Sequence, residues 1–253
     1  MINISLSDFI PPIMHRTSGY FRRRLLAKSP GRVHPFDAIS PSLDVRWLLD
    51  VGANRGDVTV AALRSYPGAK AICFEPVSKT FDLLSSAVSA YPGRTHLFNL
   101  ALSDRTGVEK MNLTTFDGAN SIATQTATHK RLNPHVQQVG SESISLVRLD
   151  DLAAELPARE IDVLKIDVEG HELNVLEGGR DFISRQVDTV IIEISMMRDE
   201  VGRRQAVFAV FALLEEMGFF LTNVIDVYSS PNEEIQLLQM DCVFRHGRRI
   251  QTA

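Results

Sequence analysis

Three carboxylates and an imidazole crowd into six residues, Asp167-Val168-Glu169-Gly170-His171-Glu172. Beside a bound substrate, such a cluster can take a proton from an attacking group. His171 has the side chain best matched to neutral pH. Asp167 or Glu169 would act as the base if burial or a neighbouring like charge raised its pKa. Asp167, Glu169 and His171 are therefore the candidate catalytic residues, and spacing alone does not rank them. Asp167 and Glu169, joined by Glu193, also offer oxygen ligands that suit a divalent cation able to acidify a hydroxyl, although a site without metal is the simpler expectation. A competing structural account has Glu169 or Glu172 capping a helix, His171 packing at its start and Asp167 only positioning the loop.

A second group lies upstream, in Asp50-Val51-Gly52-Ala53-Asn54-Arg55-Gly56-Asp57. Gly52 and Gly56 would let bare backbone approach a ligand, and Asn54 tolerates the left-handed conformation that such turns need. The following apolar run ends at Glu75-Pro76, a carboxylate suited to the two hydroxyls of a ribose. A tight turn with no ligand would explain the glycines alone, but the acid at the next strand's end makes the combination more specific. The nicotinamide dinucleotide fingerprint, Gly-x-Gly-x-x-Gly, is missing. Asp50 and Asp57 would also repel a pyrophosphate while favouring the ammonium and sulfonium of S-adenosylmethionine. Asn99-Leu100-Ala101-Leu102-Ser103-Asp104, after a third apolar run, supplies small side chains such as Ala101 to flank an adenine. The expected cofactor set is thus Asp50, Gly52, Asn54, Gly56, Glu75 and Ala101.

Elements that could bring these groups together are legible in the hydrophobic pattern. Short apolar runs alternate with helical periodicity from Trp47 onward, the mark of βαβ units in a mainly parallel, doubly wound sheet. Strands are expected at Trp47–Val51, Ala69–Glu75, Thr95–Leu100, Asp162–Asp167, Thr189–Ile194, Phe219–Val227 and Met240–Arg245. Helices are expected at Val58–Ser65, Lys79–Tyr91, Glu172–Ser184 and Arg203–Met217. Each functional group then falls at the carboxyl end of a strand, where open α/β sheets meet ligands. Lys165 falls inside a strand that should be buried, where a lone ammonium is costly, so pairing with a carboxylate is expected. The stretch 103–149 breaks the pattern. It reads as an insertion or substrate lid, with Gly107–Thr115 and Ser143–Leu149 alternating like a β-ribbon and a polar run at Thr124–Arg131.

The chain has 253 residues, 44% hydrophobic and 23% charged, which suits one α/β domain at 46–253 preceded by an extension at 1–45. No run is long enough to span a bilayer and no secretory signal opens the chain, so a cytoplasmic enzyme is expected. Cys73 and Cys242 sit in apolar runs and read as reduced core residues. Net charge is −4, yet residues 1–34 carry six Lys or Arg against one acid. That head suits a solvated helix face, or else an anionic substrate, a partner surface or peripheral membrane contact. Its apolar residues could exchange between subunits in an oligomer. Nucleic-acid binding is not indicated.

The runs Leu49-Asp50-Val51-Gly52-Ala53-Asn54-Arg55-Gly56, Phe74-Glu75-Pro76, Asn99 to Gly107, and Asp162 to Leu173 with Leu176-Glu177-Gly178-Gly179 resemble the FkbM family of methyltransferases. The resemblance covers about residues 46 to 195, and the Lys165-Ile166-Asp167-Val168-Glu169-Gly170 block is its most specific part. It implies a class I S-adenosylmethionine-dependent fold, Rossmann-like, with a seven-stranded sheet whose last strand is antiparallel. It also implies methyl transfer to a hydroxyl of a sugar or glycan, in a glycolipid or polysaccharide, or of a polyketide-type natural product. The family's cofactor roles would fall on Asp50, Gly52, Asn54, Gly56 and Glu75, and its reaction site on Asp167, Glu169 and His171. A nicotinamide-dependent oxidoreductase and a non-catalytic binding module that keeps the fold are the alternatives.

Overall fold

The computed structural model describes residues 44–122, 135–196, 203–229 and 237–250. The basic head up to residue 43 and the polar run Thr124–Arg131 lie outside the described residues. In chain order the elements are β1 (Trp47–Val51), α1 (Asp57–Ser65), β2 (Lys70–Phe74), α2 (Ser78–Val88), β3 (Thr95–Phe98), β4 (Ala101–Leu102), β5 (Gly107–Thr114), a 3-10 turn (Asp117–Ala119), β6 (Gln138–Val147), α3 (Leu149–Leu152), β7 (Ile161–Ile166), α4 (Glu172–Gly178), α5 (Arg180–Gln186), β8 (Val187–Ser195), α6 (Arg203–Glu216), β9 (Phe219–Ser229), β10 (Leu237–His246) and α7 (Gly247–Ile250).

Among the described residues, seven strands form one sheet in the order β3-β2-β1-β7-β8-β10-β9. Neighbours from β3 to β8 run parallel, whereas β10 runs antiparallel to both β8 and β9. The hydrophobic content of the strands follows from this arrangement. β7 is central and buried at all six positions, because helices cover both faces of the sheet. Leu49, Val51, Leu164 and Ile166 pack on the face that carries α4, α5 and α6. Leu48, Ala71, Cys73 and Val163 pack on the other, under α1 and α2. Each fully buried large side chain contributes roughly 1.5–3 kcal/mol relative to exposure.

Two elements depart from the expected pattern for local reasons. The third strand stops at Phe98, because the Asn99 side chain turns to donate to the carbonyls of Glu75 (2.9 Å) and Pro76 (3.0 Å). The chain then enters a smaller sheet, in the order β4-β6-β5. The helix expected at 172–184 is two helices, broken at Gly179 with φ −117° and ψ 16°. A Cβ on Gly178 would stand 1.8 Å from the Ser103 carbonyl oxygen, and one on Gly179 would stand 2.9 Å from Leu149. The glycine pair therefore lets α4 press directly on the exit of β4. The ribbon expected at Gly107–Thr115 and Ser143–Leu149 is present as antiparallel β5 and β6, with Gly107 opposite Leu146. Cys73 and Cys242 are buried free thiols. No helix among the described residues is long and apolar enough to cross a membrane.

Candidate active site

The turn after β1 is built against both neighbouring strands. Gly52 and Ala53 each donate a backbone N–H to the Phe74 carbonyl at 3.0 Å. Gly52 has φ 75°, and a Cβ there would lie 2.0 Å from the Asp167 carbonyl oxygen. The closest demand for glycine thus comes from the exit of β7. Asn54 takes up the left-handed conformation, φ 50°, and its N–H donates to Glu75 Oε2 at 3.0 Å. Val77 N–H donates to Glu75 Oε1, also at 3.0 Å. Glu75 is 6% exposed, and burial pushes its carboxyl up to about 7 despite those two bonds. Each carboxylate oxygen accepts one backbone N–H and keeps further acceptor capacity, a donor set that fits a vicinal diol such as a ribose.

Asp50 lies beneath the turn. The cross-strand register sets it opposite Lys165, and both are buried. Thr59 Oγ1 donates to Asp50 Oδ2 at 2.6 Å, while Lys165 Nζ stands 3.5 Å from Asp50 Oδ1 and 3.5 Å from Asp167 Oδ2. The ammonium also donates to the Gly52 carbonyl at 3.0 Å. One cation therefore ties the ends of β1 and β7 together and offsets the Asp50 charge. Asp57 is exposed in the first turn of α1, where its charge suits the helix's positive end.

Beyond β7 the structure gathers Asp167, Glu169 and Glu193, with one carboxylate oxygen from each within 4.8 Å of the others. Glu193, near the end of β8, accepts a 2.6 Å hydrogen bond from Gln239. Glu169 has φ 53° and Gly170 φ 96°. A left-handed glutamate costs on the order of 1 kcal/mol or more and persists only where its surroundings impose it. Glu172 Oε1 accepts N–H groups from Val168 (3.3 Å) and Gly170 (3.0 Å), and burial holds this carboxyl above the usual range.

His171 points elsewhere. Its Nε2 is 2.9 Å from the Oγ of fully buried Ser103, which also donates to Asp104 Oδ1 at 2.9 Å. Desolvation lowers the imidazole pKa, and the charged groups that act on the ring are Asp104, Arg105 and Glu109. Of the three catalytic candidates, two share a cluster with Glu193 and the third is engaged by the β4 exit.

The β5–β6 insert reaches each of the three loops that carry these groups. Asp117, in the 3-10 turn, forms a two-point ion pair with the guanidinium of Arg55 in the first turn. Glu142 on β6 accepts from the N–H (3.0 Å) and hydroxyl (2.5 Å) of Ser78, beyond Glu75. Ser121 Oγ donates to the Glu169 carbonyl at 2.7 Å. Ala101, on β4, pairs with Leu146 and packs beside Val77, Met111 and Ile144. Sequence reasoning missed Asp117, Ser121 and Glu142, and it had Ser103 only in the run expected to flank an adenine, not as the partner of His171. Only the insert's polarity and glycines hinted at a working segment, and nothing in one chain's spacing pairs Asp117 with Arg55.

A mainly parallel seven-stranded sheet with antiparallel β10, and acidic and glycine-bearing turns along one edge, defines the class I Rossmann-like methyltransferases. The chain matches the methyltransferase FkbM domain over residues 50–221 and belongs to the FkbM family. It is 34% identical over 151 residues to the hexuronic acid methyltransferase AglP of Haloferax volcanii, covering 60% of this chain and 56% of AglP. It is 29% identical over 192 residues to the 31-O-demethyl-FK506 methyltransferase FkbM of Streptomyces tacrolimicus, covering 68% of this chain and 72% of that one. The crystal structure of methyltransferase FkbM from Methylobacillus flagellatus superposes with a TM-score of 0.52 at 15% identity, over 84% of this chain and 46% of that one. Another curated relative is matched over only 10% of its length. The chain is accordingly a methyltransferase, and family and fold together imply S-adenosylmethionine as its methyl donor. The nicotinamide alternative falls with that assignment.

Proposed function

We propose that the chain methylates a hydroxyl group of a sugar, in a glycolipid or polysaccharide, with a hydroxyl of a polyketide-type natural product as the alternative acceptor. The observation that carries this reading is the Asp167–Glu169–Glu193 cluster, which lies at the same sheet edge as the buried, doubly anchored Glu75. Bound S-adenosylmethionine supplies an electrophilic methyl group and a neutral leaving group. Glu75 would take the ribose hydroxyls, while Gly52, Asn54 and Gly56 shape the turn and Asp50 supports it from below through Lys165. Ala101 would flank the adenine. Asp167 or Glu169 would accept the acceptor's proton as the new C–O bond forms. His171 is the remaining base candidate, and its bond to Ser103 makes it the better anchor for the loop. The 103–149 insert would wall or cover the acceptor side.

The names of two relatives, for a hexuronic acid and for a 31-O position, support an oxygen acceptor. A second reading, a divalent cation on the three carboxylates, is favoured by the approach of one oxygen from each to within 4.8 Å of the others. Methyl transfer from labelled S-adenosylmethionine to hexuronosides, neutral glycosides and macrolides, run with and without EDTA, tests both. Transfer to an acceptor oxygen that survives EDTA supports the metal-free reading, and activity abolished by EDTA and restored by magnesium supports the second. Transfer to nitrogen or carbon acceptors only would overturn the proposal.

A further inference from the structure

Asn54 and Glu169 are the non-glycine residues with positive φ among the described residues, and both sit in the candidate site. Asn54 is a residue type that visits this region readily, whereas glutamate is not. The peptide unit joining Glu169 to Gly170 is held at both ends. Its carbonyl accepts the Ser121 hydroxyl at 2.7 Å, and its N–H donates to Glu172 Oε1 at 3.0 Å. Glu172 opens α4 directly after the loop, but Ser121 arrives from the insert, 48 residues upstream of Glu169. It is itself fixed to β5 by a two-bond bridge, in which Asn112 N–H donates to the Ser121 carbonyl (2.9 Å) and Ser121 N–H to the Asn112 carbonyl (3.2 Å).

We propose that Ser121 is a positioning residue, locking the Glu169–Gly170 peptide so that the Glu169 carboxylate stays beside Asp167 and Glu193. The inference rests on the reading of Glu169 as a reaction-site residue. Without the hydroxyl, the peptide loses its tie to the insert and rotates more readily toward an ordinary backbone conformation. That rotation would take Gly170 N–H off Glu172 and swing the Glu169 side chain away from its neighbours. The insert thereby sets the geometry of the reaction loop as well as bordering it.

Amide hydrogen exchange at Gly170, read by NMR on the full chain, tests the lock in wild type, Ser121→Ala and Ser121→Thr. Calorimetric titration with S-adenosylmethionine runs in parallel. Ser121→Ala should speed Gly170 exchange by about fivefold, the loss of one net hydrogen bond. Ser121→Thr, which keeps the hydroxyl, should restore the wild-type rate. Affinity for S-adenosylmethionine should stay within about twofold in both, since Glu75 and the Gly52 turn are held by their own bonds to Asn54, Val77 and Phe74. Unchanged exchange in the alanine variant, or failure of threonine to restore it, overturns the proposal. Absence of S-adenosylmethionine binding by the wild type would sink the cofactor reading instead, and leaves the exchange comparison decisive for Ser121.

Discussion

Glu75 is under two opposed demands, because burial favours its protonated form while the proposed ribose contacts need the carboxylate. Its folded-state pKa is raised from about 4.5 to about 7. The sign follows from linkage: the native state binds this proton more tightly than the unfolded chain. The stabilising contribution is fully present below about pH 4.5 and is lost as pH rises through about 7. Ligand-free stability should therefore decline across that window, and Glu75→Ala should flatten the decline in melts at pH 5 and pH 8. Cofactor affinity should move the other way, rising up to about tenfold from pH 6 to pH 8 as hydroxyl donors meet the carboxylate. Titration calorimetry at the two pH values checks this, and Glu75→Ala should bind weakly at both. Lys165 invites a second substitution. Lys165→Met strands a fully buried Asp50 without its cation and should cost about 3–5 kcal/mol in denaturant melts. Adding Asp50→Asn should recover much of that loss.

At the scale of elements, the site depends on parts that are far apart in sequence but fastened together. α4 can lie against the β4 exit only because Gly178 has no side chain to meet the Ser103 carbonyl. Gly178→Ala must displace one or the other, and should lower stability by about 1–3 kcal/mol while loosening the Ser103–His171 contact. The imidazole resonance of His171, followed by NMR through a pH titration, should then move toward its ordinary solution value. The insert's tie to the first turn is weaker. Arg55 and Asp117 are 35% and 24% exposed at their side chains, so a double-mutant cycle should give a coupling of about 1 kcal/mol or less. Most of the insert's hold must then come from the packing of Val77, Met111, Ile144 and Leu146 behind it.

Taken as one body, the molecule should report its cofactor through stability. A ligand that binds only the folded state, present at about 100 times its Kd, adds about 2.7 kcal/mol. For a chain of this size that raises Tm by roughly 5–10 °C. S-adenosylmethionine should produce the shift in a thermal melt and NAD should not. A shift with NAD alone would contradict the family's implied donor.

Much of this architecture was legible in the chain itself, because strands buried on both faces must be continuous apolar runs and the breakers between them are local. The β1 boundaries, the order of βαβ units and the edge placement of Glu75 and Asp167 follow from short-range pattern, whereas the antiparallel direction of the last strand came only with the family resemblance. The pairing expected for Lys165 did too, since a buried ammonium has few alternatives. Which partners it chose was decided by register, which sets Asp50 and Lys165 on adjacent strands. The grouping of Glu193 with Asp167 and Glu169 was expected from the strand ends, but only the folded chain could turn His171 toward Ser103 and bring Asp117, Ser121 and Glu142 to three separate loops. Periodicity records which face of an element is buried. It carries no information about which distant polar groups meet, because those contacts depend on crossover geometry and loop closure rather than on neighbouring residues.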